Sequence, residues 1–136
     1  MAADIALTAL IAWALWAATL LVLMAFTPRS VPSYNGFTIY IPPPVFAILT
    51  EKELLAVTMH EEGHRLHGHV WKNYLGAVFF IPASINTRMR QELEADDYAD
   101  FAGLGLPLAS ALIKMGAAHP FDLYRIRSLK GDLHNG

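Results

Sequence analysis

The sequence predicts a mainly α-helical (α+β) domain that contains a short strand or small sheet and follows one membrane-spanning helix. The chain has 136 residues, which is enough for one small domain. Residues 5–26 carry no charged side chain, and beyond them one β-branched run is followed by segments with helix caps and helical spacing. These observations divide the chain into an anchor (1–27), a linker (28–36), a domain (37–130) and a tail (131–136).

The composition excludes several classes of protein. Hydrophobic residues make up 54% of the chain and charged residues 16%, which is the opposite of the composition of disordered proteins. The 10 lysines and arginines are balanced by 12 acidic residues, so the charge does not indicate a nucleic-acid partner. The absence of cysteine excludes disulfides and thiolate metal sites, and the six histidines therefore become the residues of most chemical interest.

The apolar excess is concentrated in residues 5–26. A helix of this length covers roughly 33 Å, which is enough to cross a hydrocarbon core of about 30 Å. A cleaved signal peptide is the competing interpretation, but no lysine or arginine precedes the apolar run, and Pro28 and Arg29 follow it. These flanks favour an uncleaved single-pass anchor in the lipid bilayer, and Arg29 favours the cytoplasmic side for the domain that follows.

The next elements follow in chain order. Residues 28–36 are rich in proline, serine, asparagine and glycine and predict a linker and turn. Residues 37–41 are β-branched or aromatic and predict a strand, which three consecutive prolines end. Thr50 and Glu53 have the spacing of a capping box, so we expect a helix from about residue 51 to 68. Further helices are predicted over residues 87–101, 108–118 and 122–129.

An apolar-rich segment at residues 75–85 separates the first two of these helices. It is too short to span a bilayer. It either dips into the bilayer or covers the core, and the sequence leaves both interpretations open.

The capped helix carries His60-Glu61-Glu62-Gly63-His64, an instance of the pattern H-E-x-x-H. Residues i and i+4 lie on one helical face about 6 Å apart, so His60 and His64 can bind one metal ion. Glu61 then lies beside the ion without binding it and can act as general base towards a zinc-activated water. In a chain of this composition, chance gives only about 0.01 occurrences of the pattern.

A catalytic zinc site needs a third protein ligand and an open position for water. His67 and His69 are close in sequence, but a ligand one turn further along a straight helix is poorly placed to complete a tetrahedron. A carboxylate from another helix is better placed, and Glu92 and Asp96 lie at i and i+4 on one face of the next helix. We expect Glu92 to bind the metal and Asp96 to accept a hydrogen bond from a ligand imidazole. Glu94 is expected to point elsewhere, on a solvated acidic face.

These motifs resemble the HtpX, Oma and CAAX-prenyl-protease family of gluzincin metallopeptidases. That family shows H-E-x-G-H, often with Gly-His shortly after, then E-x-x-A-D on the next core helix and H-P-x-x-x-x-R-I near the domain end. The likeness covers residues 37–129 and implies a zincin-like fold and zinc-dependent peptide hydrolysis. Membrane-embedded members place transmembrane helices between the first two motifs, where this chain has only residues 65–91. The chain is therefore most similar to a minimal, minigluzincin-type catalytic domain.

Carried over position by position, the resemblance implies that His60, His64 and Glu92 bind one Zn²⁺ per chain. It also implies that Glu61 is the general base and that Asp96 supports a ligand. The residue before the Arg-Ile pair is usually glutamate in the family and is tyrosine in this chain.

The oxyanion of the transition state needs a donor in addition to zinc. His119, Tyr98 and Arg90 are the candidates, and each of them has an alternative role in packing or capping. Residues 37–41 are either an edge strand that pairs with an extended peptide substrate or an ordinary structural strand.

The sequence thus predicts a membrane-anchored zinc metalloendopeptidase that acts on a peptide or protein substrate. One alternative is a regulatory component of membrane signalling, of the antirepressor-peptidase type. Another is a zinc-stabilised adaptor without catalytic turnover. No nucleic-acid partner is expected, and the sequence does not predict an oligomeric state.

Overall fold

The computed structural model describes residues 1–131, so the predicted tail at 131–136 lies outside the described residues except for Gly131. These residues confirm the mainly α-helical class with a small sheet. The elements are α1 (Ala2–Phe26), β1 (Ser33–Tyr34), β2 (Ile39–Tyr40), α2 (Pro43–Ile48), α3 (Glu51–Leu66), α4 (His69–Val78), α5 (Ile85–Phe101), α6 (Gly105–Lys114) and α7 (Pro120–Leu129).

Helix α1 is long and apolar enough to cross a membrane, with a mean hydropathy of 2.3 in its most apolar stretch. An N-terminal signal sequence has the same length and composition. Beyond the end of α1, the Arg29 guanidinium donates hydrogen bonds to the carbonyl oxygens of Met24, at 3.0 Å, and Tyr34, at 3.1 Å. Arg29 therefore joins the end of α1 to β1.

Strands β1 and β2 form an antiparallel hairpin. β1 lies within the stretch predicted as a linker, and β2 is shorter than the strand predicted at residues 37–41. In the turn, the Asn35 side-chain oxygen accepts hydrogen bonds from the amides of Phe37 and Thr38, at 3.0 and 2.8 Å. Gly36 has a φ of 98°, a conformation that favours glycine. No sequence pattern predicts β1, because its two residues are too few to show an apolar alternation.

Helices α2 and α4 were not predicted. Pro43 and Pro44 occupy the first helical positions of α2, where a missing N–H group loses no helical hydrogen bond. The proline run therefore begins a helix. Helix α3 ends before Gly68, whose φ of 65° lies in the left-handed region and turns the chain into α4.

Helix α3 carries the predicted capping box. The Thr50 amide donates to Glu53 Oε2 at 2.7 Å, and the Glu53 amide donates to Thr50 Oγ1 at 3.4 Å. Because the cap fixes where the helix begins, it also fixes the face on which the histidine motif lies.

Helices α3 and α5 pack closely around Gly63. A Cβ atom at this position would lie 2.9 Å from the Ala95 Cα atom, so only glycine allows the two backbones to approach this far. α5 begins slightly earlier than predicted, because the Ser84 side chain caps it through the Thr87 amide at 3.1 Å. The close contact brings the acidic motif of α5 next to the histidine motif of α3.

Helices α6 and α7 complete the core around α3 and α5. α6 begins before the predicted residue 108, with Pro107 in its first turn, and α7 begins directly after His119. The buried apolar side chains that these four helices share include Ala56, Val57, Ala99, Leu108, Ala109, Ala111, Ile126 and Leu129.

Candidate metal centre

Helix α3 presents the two histidines of the motif on one face. The Nε2 atoms of His60 and His64 are 3.1 Å apart, and His60 is buried. Helix α5 brings Glu92 to the same point, where its carboxylate lies 3.4 Å from each of these nitrogen atoms. The structure thus places together the three side chains that the sequence proposed as ligands.

The spacing of these three ligand groups is compatible with a tetrahedral metal ion. Zinc bonds of about 2.0–2.1 Å at tetrahedral angles put neighbouring ligand atoms about 3.3–3.4 Å apart. The two nitrogen atoms are 3.1 Å apart, and each lies 3.4 Å from a different oxygen of Glu92, Oε2 for His60 and Oε1 for His64. Imidazole and carboxylate are also donors that Zn²⁺ accepts. The residues present therefore fit one zinc ion.

The outer side of His60 is supported by a buried ion pair. His60 Nδ1 lies 2.9 Å from Asp96 Oδ1, although the approach is too bent for a well-directed hydrogen bond. Arg125 donates two hydrogen bonds of 2.7 Å to the Asp96 carboxylate and lies 3.0 Å from Glu92 Oε2. Arg125 thereby fixes both carboxylates relative to His60.

Burial and neighbouring charges shift the pKa values of these groups in opposite directions. Burial disfavours the protonated form of His60, but its interactions with Asp96 and Glu92 outweigh burial and raise its pKa to about 9. Burial raises the pKa of Glu92, but His60 and His64 lower it by more. Burial likewise raises the pKa of Asp96, and the hydrogen bonds from Arg125 reverse that effect and lower the pKa overall. Both carboxylates are therefore ionised at neutral pH.

His64 is supported by a second chain of contacts that runs to the surface. His64 Nδ1 lies 2.9 Å from His69 Nδ1, and His69 Nε2 lies 2.8 Å from Glu94 Oε2. If His69 donates to Glu94 and accepts from His64, the Nε2 lone pair of His64 is left for a metal. Burial lowers the pKa of His69, which favours the neutral form that this assignment needs.

Glu94 does point away from the three candidate ligands, as expected, but it is not simply part of a solvated face, because it contacts His69. Although α5 carries it on a different side from Glu92, α4 begins close by and places His69 within hydrogen-bonding distance. The sequence could not show this contact, because α4 itself was not predicted.

A cavity of about 610 Å³ opens over the three candidate ligands. Glu61 lines it, and its Oε2 atom accepts a hydrogen bond of 2.6 Å from the backbone amide of Tyr34 in β1. Residues 31–34 also line the cavity. The segment beside the candidate site is therefore β1 with the residues before it, rather than the stretch at 37–41.

The three candidates for an oxyanion donor are not brought to the ligands. Within residues 1–131, the lining of this cavity includes neither His119, Tyr98 nor Arg90. His119 caps α7 and lines a separate cavity with Arg90, and Tyr98 lies against Gly63 between α3 and α5.

Sequence reasoning did not select Arg125 or His69 as site residues. The sequence contained an indication for each of them. Arg125 belongs to the H-P-x-x-x-x-R-I pattern near the domain end, and His69 follows Gly68 in the Gly-His pair noted after the histidine motif. Nothing in the sequence indicated the contact between the Tyr34 amide and Glu61, because it depends on the fold of the hairpin.

The chain matches no family model, and comparisons with curated proteins and with solved structures also gave no match.

Proposed function

We propose that this chain is a membrane-anchored zinc metalloendopeptidase. The observation that carries the proposal is the convergence of His60, His64 and Glu92, whose ligand atoms lie within 4.8 Å of one another, with Glu61 lining the same cavity. A non-catalytic zinc site is normally closed by a fourth protein ligand and needs no carboxylate base beside it. Among the described residues, only these three form such a ligand group.

Zinc, when bound, supplies a Lewis acid that polarises the peptide carbonyl and lowers the pKa of water. Glu61 takes a proton from the attacking water as the oxygen bonds to the carbonyl carbon. The C–N bond then breaks, and Glu61 delivers the proton to the departing amine nitrogen. The Tyr34 amide holds one Glu61 oxygen at 2.6 Å, so it orients the carboxylate for both transfers.

Residues 31–34 form one wall of the cavity beside Glu61. The N–H group and carbonyl of Tyr34 are already hydrogen-bonded to Glu61 and Arg29, and Pro32 has no N–H group, so this segment has no free edge to which a peptide strand could be added. We place the substrate in the cavity beside this wall.

The proposal includes a single-pass anchor at α1, with the catalytic domain on the cytoplasmic side. The length and hydropathy of α1 support the anchor. Arg29, just beyond the span, supports the orientation through the positive-inside preference.

The test is cleavage of unfolded casein by the detergent-purified full chain, with metal content measured on the same samples. Glu61→Gln should retain about one zinc per chain and lose roughly 10²–10⁴-fold in cleavage rate, because only the proton transfers are removed. Glu62→Gln is the matched control, since Glu62 pairs with Arg65 on the helix surface, and it should cleave like the wild type. If Glu61→Gln cleaves normally, or if the zinc-loaded wild type cleaves nothing, the peptidase proposal is wrong and the adaptor interpretation gains support.

A further inference from the structure

The turn between α4 and α5 packs against the middle of α1. Trp13 Nε1 donates a hydrogen bond of 3.2 Å to the Val78 carbonyl, and the Tyr74 hydroxyl donates one of 3.0 Å to the Ala17 carbonyl. The Trp16 and Phe80 rings are stacked, with centroids 5.8 Å apart and planes 8° apart. These contacts hold the end of α4 on α1.

The two helices run in opposite directions. Val70, at the start of α4, and Met24, near the end of α1, line one cavity between them, whereas Val78 contacts Trp13. α4 has 10 residues and is about 15 Å long, which is half the thickness of a hydrocarbon core of about 30 Å. The tip of α4 therefore lies at the depth of the centre of α1.

The tip is apolar and exposed. The sequence has no charged residue from 73 to 87. Phe79, Phe80, Ile81 and Ile85 are 58%, 71%, 72% and 76% exposed, respectively. An exposed apolar surface of this kind is rare on a soluble monomer. It is typical of a surface that contacts a membrane or another protein. It is continuous with the exposed apolar surface of α1.

Three backbone polar groups at the tip are paired within the chain. The amides of Phe80 and Ile81 donate to the carbonyls of Ala77 and Gly76, at 3.1 and 2.7 Å, and the next residue, Pro82, has no amide hydrogen. The Trp13 indole satisfies the Val78 carbonyl, which lies at the end of the helix. Pairing within the chain lowers the cost of placing these three groups in hydrocarbon.

Phe80 occupies a position that usually favours glycine. Its φ of 59° lies in the left-handed region, which is unfavourable for a bulky side chain. Phenylalanine at this exposed position is explained by its ring, which extends the apolar tip and stacks on Trp16.

We propose that residues 74–85 form a re-entrant hairpin that inserts into the bilayer beside α1 and reaches its centre, with lipid hydrocarbon covering the tip. This proposal rests on the anchoring role of α1 proposed above. Because His69 at the base of α4 also lines the candidate metal cavity, the cavity then opens at the membrane surface.

The absence of cysteine makes a labelling test direct. Single-cysteine variants of the full chain are spin-labelled and placed in vesicles of phosphatidylcholine and phosphatidylglycerol, and collisions with oxygen and with a water-soluble nickel chelate are compared. Phe80→Cys probes the tip, and Ile81→Cys provides a second probe in case Phe80→Cys does not fold. Leu15→Cys reports the middle of α1, where Leu15 is 64% exposed, and Phe101→Cys reports the far end of α5, where Phe101 is 94% exposed.

The tip label should match the label at position 15 and exceed the label at position 101 by roughly tenfold in the ratio of oxygen to nickel collisions, because hydrocarbon excludes the chelate. If the tip behaves like position 101 while position 15 is protected, the hairpin proposal is wrong and the anchor stands. If the label at position 15 also collides readily with the nickel chelate, the proposal that α1 is a membrane anchor is wrong as well. Spin–spin broadening at the tip that disappears on dilution with unlabelled chain would show a second copy in place of lipid, which also overturns the proposal.

Discussion

Both ends of α3 carry buried ionisable side chains, but the two groups of side chains differ in the partners that surround them. Near the N-terminus, the Glu53 carboxylate accepts hydrogen bonds from Ser110 at 2.6 Å and from Lys114 and the Thr50 amide at 2.7 Å. Near the C-terminus, the Nε2 atoms of His60 and His64 face each other and a carboxylate at ligand spacing. A polar cluster that stabilises the fold therefore differs from a candidate ligand cluster in one respect. The first cluster is complete within the chain, and the second converges on a point that an ion fits.

The strongest test of this comparison is removal of Arg125. Arg125→Leu leaves the buried Asp96 carboxylate without the guanidinium that donates two hydrogen bonds to it, and breaking a buried ion pair in this way costs about 3–5 kcal/mol. Denaturant unfolding of the detergent-solubilised, metal-free chain measures the loss. Arg127→Leu, on the exposed side of the same helix, is the control and should change stability by less than about 0.5 kcal/mol. Equal stabilities of the two variants would show that the ion pair does not hold the site.

A smaller effect, on the affinity for zinc, is expected when His69, which contacts His64, is replaced. His69→Asn removes the ring that contacts His64 Nδ1, and loss of such a supporting contact weakens metal binding by about 10–100-fold. Competition with a fluorescent zinc chelator measures the affinity. His67→Asn is the matched control, because His67 is exposed and contacts the Gly63 carbonyl rather than a candidate ligand. If both variants bind zinc equally, the chain from His64 to Glu94 plays no part in the site.

The smallest effect is expected at the other end of α3, as a pH dependence of stability. Hydrogen bonds from Lys114, and then from Ser110 and the Thr50 amide, lower the pKa of Glu53 from 4.5 to about 2. The unfolded chain therefore binds this proton at a higher pH than the folded chain does. The resulting stabilisation is present above about pH 4.5 and is lost as the pH falls towards 2.

Unfolding at a series of pH values tests this dependence. Between pH 4.5 and 2, the wild type should lose more of its free energy of unfolding than Glu53→Gln, which has no proton to bind. Glu51→Gln, an exposed position in the same first turn, should follow the wild type. Parallel curves for the wild type and Glu53→Gln would contradict the role assigned to this cluster.

The parts of the molecule that depend on local sequence were predictable. The capping box set the start of α3, and the i, i+4 spacing predicted that His60 and His64 lie on one face as candidate imidazole ligands. Glu92 followed from the need for a third ligand on a second helix, and the structure brings it to the same point.

The missed parts depend on contacts between segments that are distant in sequence. Strand β1 is defined by pairing with β2 and by the hydrogen bond from Tyr34 to Glu61, neither of which leaves a pattern in two residues. Arg125 lies far along the chain from Asp96, and its role depends on how α7 packs against α5. The segment at 75–85 was ambiguous for the same reason, because its partner is α1.

The most direct test of the central claim is the amount of zinc bound per chain after equilibration with a small excess of Zn²⁺ and removal of free metal. We expect about one zinc for the wild type and for Asp97→Asn, since Asp97 is exposed on the same helix as Glu92 and is not part of the ligand group. Glu92→Gln should lose most of that zinc, because the carboxylate is replaced by an amide. A wild-type chain that binds no zinc, or a Glu92→Gln variant that binds as much as the wild type, would contradict the proposed metal site.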